Sequence, residues 1–335
     1  MPKDDRTKAA GPPANGAAKK GGAGPPAKTR TPARKKAAPK PVFRTGYVAL
    51  VGRPNTGKST LLNALIGRKV AIVSDKPQTT RISILGVKTT ERGQIVFVDN
   101  PGIHKPLHTL NKRMMNFVYS ALETADAVCL LIDATEKFGR GDEYVLEILR
   151  RVKTPVFLLI NKVDAVRKDR VLPVIDRYKD LFPFREIVPI SALRGVNLDL
   201  LEKLLYEALP ESPGLYTEEE ITGQSERFLF AEIVREKILK YVTEELPFVT
   251  AVYIEAVEKK ERLTYIRASI FVEKDNHRKI VIGRSGSRIK QVGIEARQEI
   301  AEHIGHKVYL DLQVRVREGW RDSEDVLDLI EGQKG

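Results

Sequence analysis

Lys58 and Ser59 close the stretch GRPNTGKST, residues 52–60, which follows the apolar run YVALV and leads into LLNALI. The spacing G-x-x-x-x-G-K-[ST] between a strand and a helix is suited to holding phosphates. Backbone N–H groups of a glycine loop face an anion at a helix N-terminus, a lysine reaches the outer phosphates, and a hydroxyl is left for a divalent cation. On this reading Gly52, Arg53, Pro54, Asn55, Thr56, Gly57, Lys58, Ser59 and Thr60 cradle the phosphates of a nucleoside triphosphate, and Ser59 is a ligand of Mg2+.

Three more loops fall at the ends of apolar runs. VDNPGIHKP places Asp99 after QIVFV as the carboxylate that holds Mg2+, and Gly102 where its N–H can meet a γ-phosphate; loss of that contact on hydrolysis would release Asn100, Pro101 and Ile103 with it. NKVD follows PVFLLI. Asn161 would face the acceptor edge of a base, Lys162 would lay its stem along it, and Asp164 would accept from the N1 and N2 hydrogens of guanine. Adenine lacks the exocyclic N2 donor, so a buried Asp164 would be left unpaired against ATP. Ser191 and Ala192, in PISAL, would complete the pocket through backbone contacts to the base oxygen. Together these loops indicate GTP.

Loops of this kind in this order resemble those of a GTPase of the translation-factor-related class. The resemblance puts a switch threonine in DKPQTTR, residues 75–81, where Gln78, Thr79 and Thr80 would move; Thr79 or Thr80 closes on Mg2+, and Thr80 is favoured. Many such enzymes carry a glutamine directly after the D-x-x-G glycine to orient water. Here that residue is Ile103, which can neither donate nor accept a hydrogen bond. Backbone groups, another side chain or a partner must then position the water, so slow intrinsic hydrolysis is expected, that of a timer or switch.

The elements that must hold these loops are legible from patterning. YVALVG, QIVFVDN, AVCLLID, PVFLLIN and IVPIS are short and β-rich, and most are separated by segments of helical spacing such as GDEYVLEILRRV. The alternation predicts an α/β domain, a doubly wound, mostly parallel sheet with ligand loops beyond the carboxyl ends of its strands. The 335-residue chain has room for about two domains. No apolar run reaches the roughly 18 residues that span a bilayer, no signal-peptide core is evident, and one cysteine excludes an internal disulfide framework. Cys129, inside AVCLLID, is expected to be a buried core residue. These features predict a soluble, cytoplasmic protein.

The net charge of +13 is unevenly spread. Residues 1–40 carry 11 Lys and Arg against two Asp, residues 41–213 carry 26 against 19 acids, and residues 214–335 carry 20 against 23. Residues 1–42, rich in Pro, Ala, Gly and Lys, have little to bury and are expected to be disordered. They read either as an arm that seeks RNA or as a solubilising extension.

Beyond a linker at residues 213–225 the chain reads helix (SERFLFAEIVREKILKYVTEEL), two strands (TAVYIEAVE, LTYIRASIFVE), the second glycine loop VIGRSGSRIK, a helix (GIEARQEIAEHIG) and a strand (KVYLDLQVRV). This order and the I-G-x-x-G-x-x-I core resemble a KH domain, here an α+β domain of type II over residues 226–335, whose G-x-x-G loop clamps single-stranded RNA. Residues 259–297 hold 11 Lys and Arg against four acids. Gly283, Ser285 and Gly286 would let a phosphate backbone approach, Arg284, Arg288 and Lys290 would contact phosphates, and Ile282 and Ile289 would form an apolar platform for bases. Trp320 is expected in the core. A protein-docking role for this domain is the alternative.

A GTPase at residues 43–212 with PQTTR in its first switch, joined to a carboxyl-terminal KH domain, closely resembles the bacterial Era family. GRPNTGKST, PQTTR, DNPG, NKVD, ISAL and VIGRSGSRIK carry the resemblance, which covers the chain apart from its tail. It implies a GTP-hydrolysing switch using Mg2+ that binds the 3′ end of small-subunit ribosomal RNA and assists assembly of the 30S subunit. It also implies a monomer, with peripheral association at the inner face of the cell membrane. Asn100 departs from the threonine usual in the family, at a variable position of the motif.

Overall fold

The computed structural model describes residues 43–217 and 220–334. The basic tail, with both readings of it, lies outside the described residues. The described residues form one compact unit.

Its first half runs β1 (Arg44–Gly52), α1 (Lys58–Ile66), β2 (Ile84–Thr90), β3 (Gly93–Asp99), α2 (Thr109–Thr124), β4 (Ala127–Asp133), α3 (Arg140–Leu149), β5 (Val156–Asn161), α4 (Val171–Tyr178), β6 (Glu186–Pro189) and α5 (Leu198–Ala208). The strands form one sheet in the order β2-β3-β1-β4-β5-β6. Every pairing is parallel except β2 with β3. The central strands are near-continuous apolar runs because both faces are covered. Alternate residues feed two cores. Leu50, Phe97, Leu131 and Phe157 lie in the one shared with α1 and α5, while Val51, Leu130, Leu158 and Ile160 lie in the one shared with α2 and α3. Cys129 is fully buried in the first. Truncating a side chain such as Phe157 to alanine would cost about 3–5 kcal/mol.

Five of the six strands coincide with the apolar runs. The sixth, β2 (ILGVKTT), is an edge strand whose outer half is polar and only half-buried, so it lacks the apolar signature. That edge is not bare. The N–H of Val87 donates to the carbonyl of Ile221 (2.9 Å), and Thr222 Oγ1 donates to the carbonyl of Leu85 (2.9 Å), so the segment between the halves runs along it. Gln94 secures the same segment, accepting from the N–H groups of Leu215 (2.7 Å) and Tyr216 (2.9 Å).

The second half comprises α6 (Glu226–Tyr241), α7 (Leu246–Val249), β7 (Ala251–Lys260), β8 (Leu263–Val272), α8 (Asp275–Ile282), α9 (Ser287–Ile304), β9 (Val308–Val316) and α10 (Glu324–Glu331). The sheet order is β7-β8-β9, with β7 antiparallel and β9 parallel to β8. Helix α6 starts at Ser225, whose hydroxyl accepts from the N–H of Phe228. Its apolar side joins α9 and the sheet in one core that includes Phe230, Val234, Ile266 and Ile300. Helix α10 leaves little mark in the sequence, since eight residues give little periodicity. It packs Val326 and Leu327 with Trp320 against Leu110 and Met114 of α2, forming a core shared by both halves. Arg113 of α2 pairs with Glu324, with Asp328 (2.6 Å) and with Glu331 (3.2 Å) across the same junction. Among the described residues no helix is long and apolar enough to cross a membrane.

Candidate nucleotide site and RNA-facing loop

Strand β1 delivers Gly52 and α1 begins at Lys58, so residues 53–57 form the turn between them. The first N–H groups of α1 point into that turn with no acidic side chain in the first turn to compete for them. Gly57, at φ 93°, approaches Asn161 so closely that a Cβ would lie 2.3 Å from its Nδ2. The Lys58 ammonium is buried and donates to the carbonyls of Arg53 (2.9 Å) and Gly52 (3.4 Å). Burial pulls its pKa down to about 8, opposed by the carboxylate of Asp99. Asn55 donates to the carbonyl of Asp75 (2.8 Å), tying the phosphate loop to the segment carrying PQTTR.

Ser59, Thr80 and Asp99 converge. Ser59 Oγ donates to Asp99 Oδ2 (2.6 Å) and lies 2.9 Å from Thr80 Oγ1, which is itself 3.4 Å from Asp99 Oδ2. Thr79 turns away, its hydroxyl donating to the carbonyl of Lys76 (2.6 Å). Burial pushes the Asp99 carboxyl up to about 6, against the pull of Lys58, Ser59 and Thr80, and its Oδ1 is buried without a partner. An orphaned carboxylate oxygen beside two hydroxyls is a hard-oxygen set that fits Mg2+. Ser59, Thr80 and Asp99 would hold the ion, which would supply charge neutralisation for the phosphates.

At the other end of a cavity of about 490 Å³, Lys162 stands in the left-handed region (φ 65°) and its Nζ meets Asp133 Oδ2 at 2.5 Å. Asn161 has a task that the sequence did not reveal. Its Nδ2 donates to the carbonyl of Thr56 (2.8 Å) and its Oδ1 accepts from the N–H of Ala192 (3.0 Å), bridging three loops. One Nδ2 hydrogen remains for a base. The N–H of Ser191 goes to the carbonyl of Val196 (3.2 Å). The backbone donors assigned from sequence to the base oxygen are therefore both engaged within the protein. Ser191 Oγ donates to Asp164 Oδ1 (2.5 Å), orienting that carboxylate. Asp164 is exposed rather than buried, so a bound base must itself cover it before adenine would be penalised.

Ile103 is packed away at 2% exposure, and its N–H donates to the carbonyl of Gly52 (3.0 Å). Asn100 is fully buried. Its Oδ1 accepts from Ser83 Oγ (2.7 Å) and its Nδ2 donates to the carbonyl of Val98 (3.0 Å), so it links the D-x-P-G loop to the chain following the switch threonine.

Two arginines outside the motif positions also matter. Arg81, next to Thr80, is buried in the second half: Nη1 donates to the carbonyl of Thr250 (2.8 Å) and Nη2 to those of Pro247 (2.7 Å) and Phe248 (3.2 Å). Burial first, and the Arg235 guanidinium next, pull its pKa down to about 9, with Glu232 opposing them. Arg235 of α6, 3% exposed, donates through Nη2 to the carbonyl of Thr79 and to Glu232 (2.6 Å). One sequence signal was available. In FLFAEIVREKIL an arginine occupies a helical position at which the spacing of Phe228, Ala231 and Ile238 demands a buried residue.

The loop Gly283–Gly286 joins α8 to α9 as a single tight turn. Gly283 (φ 77°) has no room for a Cβ, which would meet that of Arg288 at 2.8 Å. Gly286 (φ 76°) has open space beside it, where a polymer backbone can approach. Arg284, Ser285 and Lys290 are exposed and Ile282 is half-exposed, while Ile289 packs against the core and Arg288 folds back to donate to the carbonyl of Ile280.

A phosphate loop at the carboxyl end of a parallel sheet, a convergent hydroxyl–carboxylate cluster and an N-K-x-D loop, followed by a βααβ unit with a G-x-x-G turn, define a P-loop GTPase fused to a KH domain. Residues 47–162 match the family described as 50S ribosome-binding GTPase, and residues 237–321 match the KH domain family. The crystal structure of Era in complex with MgGDPNP and nucleotides 1506–1542 of 16S ribosomal RNA is 41% identical, with a TM-score of 0.84 over 86% of this chain and 98% of that one. A point variant of Aquifex aeolicus Era bound to GDP.AlF4- is likewise 41% identical, with a TM-score of 0.83 over 86% and 99%. The chain belongs to the Era family of GTPases.

Proposed function

We propose that this protein is a GTP-hydrolysing switch that uses Mg2+, binds the 3′ end of small-subunit ribosomal RNA through its KH domain and assists assembly of the 30S subunit. One observation carries the switch: the two residues flanking Thr80 both end in the KH half, Arg81 through its side chain and Thr79 through its carbonyl. Any movement of Thr80 with nucleotide state therefore pulls on the RNA-binding half. Ser59, Thr80 and Asp99 take Mg2+, Lys58 and the residue 52–60 loop take the phosphates, and Asn161, Lys162 and Asp164 take guanine. Intrinsic hydrolysis is slow, because Ile103 offers a water molecule nothing and any orienting group must be brought by a segment outside the D-x-P-G loop. The relative with MgGDPNP and 16S ribosomal RNA supports the ligand classes.

The test is affinity for a single-stranded RNA matching the small-subunit 3′ end, measured at fixed salt with GDP and with a non-hydrolysable GTP analogue. Affinity that differs between the two states and is lost in a Gly283→Asp/Gly286→Asp variant is the expected result. RNA binding unchanged by that variant would assign the KH fold to protein docking instead. We further place the protein in the cytoplasm as a monomer that meets the membrane surface peripherally, a reading supported by the basic residues of the tail. Flotation with anionic vesicles, with and without residues 1–42, checks it.

A further inference from the structure

The residue after the D-x-P-G glycine has no side-chain group to orient water, which leaves backbone groups, a partner or another side chain of the cavity. Its phosphate end is marked by Lys58, Ser59, Thr80 and Gly102, and Gln78 lines the same cavity. Gln78 is a non-glycine residue in the left-handed region (φ 58°). Such a conformation costs on the order of 1 kcal/mol and concentrates at functional sites. A network runs from its side chain to the D-x-P-G loop. His104 Nδ1 lies 2.7 Å from the carbonyl of Gly102, which can only accept, so Nδ1 carries the proton and Nε2 is the acceptor. Asn111 Nδ2 reaches that acceptor at 2.7 Å and Gln78 Nε2 at 3.3 Å. Asn111 is itself buried on α2. Both amides share the one lone pair of His104 Nε2, Asn111 strongly and Gln78 as the weaker arm, which turns the Gln78 amide nitrogen toward the ring and leaves Oε1 as the end that can accept.

We infer that Gln78, held by His104 and Asn111, is the residue that orients the hydrolytic water. Its Oε1 accepts a hydrogen bond from the water. The water oxygen bonds to the γ-phosphorus, the bond from that phosphorus to the β–γ bridging oxygen breaks, GDP leaves, and the water proton ends on the phosphate product. Gln78 is not a base and keeps its protons. The glutamine missing beside the D-x-P-G glycine is supplied by the first switch, two residues before Thr80, so hydrolysis requires that switch to be closed. The inference rests on the GTPase reading above.

The experiment compares the full-length protein with Gln78→Ala, His104→Ala and Lys58→Ala variants. Wild-type turnover that disappears in Lys58→Ala tests the GTPase reading separately. Gln78→Ala is expected to lower kcat on the order of 10²-fold. Its affinities for GDP and for the non-hydrolysable analogue should stay within about twofold, and it should lose the ability to retain a fluorescent GDP with aluminium fluoride. His104→Ala should give a smaller loss of the same kind. Turnover within about threefold of wild type for Gln78→Ala would overturn the inference, as would a parallel loss of analogue affinity. A large loss in His104→Ala with Gln78→Ala near wild type would give the water to the imidazole instead.

Discussion

The Arg81 guanidinium lies 5.5 Å from the ring centroid of Trp320, stacking the residue next to the switch threonine on the indole that begins the C-terminal segment. Trp320 is 1% exposed, and its Nε1 donates to the carbonyl of Val249 (2.9 Å). Cation–π contact in a desolvated setting is worth about 2 kcal/mol. The stack therefore links the segment that carries Thr80 to the packing of α10 and α2.

Trp320 is the sole tryptophan, so its emission reports this contact without labelling. Exchanging GDP for a non-hydrolysable analogue should shift the emission. Arg81→Lys should abolish the shift and bring RNA affinities in the two nucleotide states to within about twofold of each other, against couplings of about 5- to 150-fold typical of linked sites. Arg81→Lys should also lower stability by about 3 kcal/mol, since one ammonium cannot satisfy three carbonyls in a fork. An unchanged emission response in the variant would place the coupling elsewhere.

Asp99 makes the protein without Mg2+ sensitive to pH. Its folded-state pKa is raised from 3.8 to about 6, chiefly by burial. The protonated form is thus favoured in the fold, and the stabilisation it brings is complete below about pH 4 and lost as pH rises through 6. A rise of that size corresponds to about 3 kcal/mol at most. Without Mg2+, Asp99→Asn should therefore melt above wild type at pH 7.5 and close to it at pH 4. With Mg2+ and GDP the order should reverse. Thermal melts at the two pH values, with and without Mg2+ and nucleotide, decide it.

The two glycines of the RNA-facing loop should differ on substitution. Gly286→Ala meets only conformational strain and should cost about 1 kcal/mol, with a modest loss of RNA affinity. Gly283→Ala also drives a Cβ into Arg288 and should cost more. Denaturant unfolding separates the two. Equal costs would mean that the contact with Arg288 relaxes freely.

Asn161→Ala should fail in two ways. Its side chain bridges Thr56 and Ala192, so removal leaves a buried carbonyl and a buried N–H unpaired. A stability loss of about 2 kcal/mol is expected without nucleotide, together with weaker binding of GDP. A loss of affinity alone, with unchanged melting, would show that the bridge re-forms through water.

How legible was this in the sequence? The phosphate loop, Asp99, the N-K-x-D loop and the G-x-x-G turn were readable because each is local: residues at fixed spacing between a strand and a helix. Strands β1, β3, β4, β5 and β6 announced themselves through burial of both faces or through apolar runs. What failed was non-local. Arg81 looks like an ordinary basic residue until Pro247, Phe248 and Thr250 offer it their carbonyls 166 to 169 positions away. Edge strand β2 and helix α10 owe their existence to partners distant in the chain. The engagement of the Ala192 N–H by Asn161 likewise emerges only when three loops meet.

The strip of chain along β2 has a mechanical consequence. Val87 and Leu85 are hydrogen-bonded to residues 221 and 222, so the end of the tether between the GTPase and KH halves is pinned to the sheet edge rather than slack. Swinging the halves apart beyond a small angle would peel that strip away, at about 1 kcal/mol for each hydrogen bond lost. It would also uncover a strand edge able to pair with another chain. The hydrogen bonds along β2 thus act with the core shared by the two halves to resist an opening that would expose that edge.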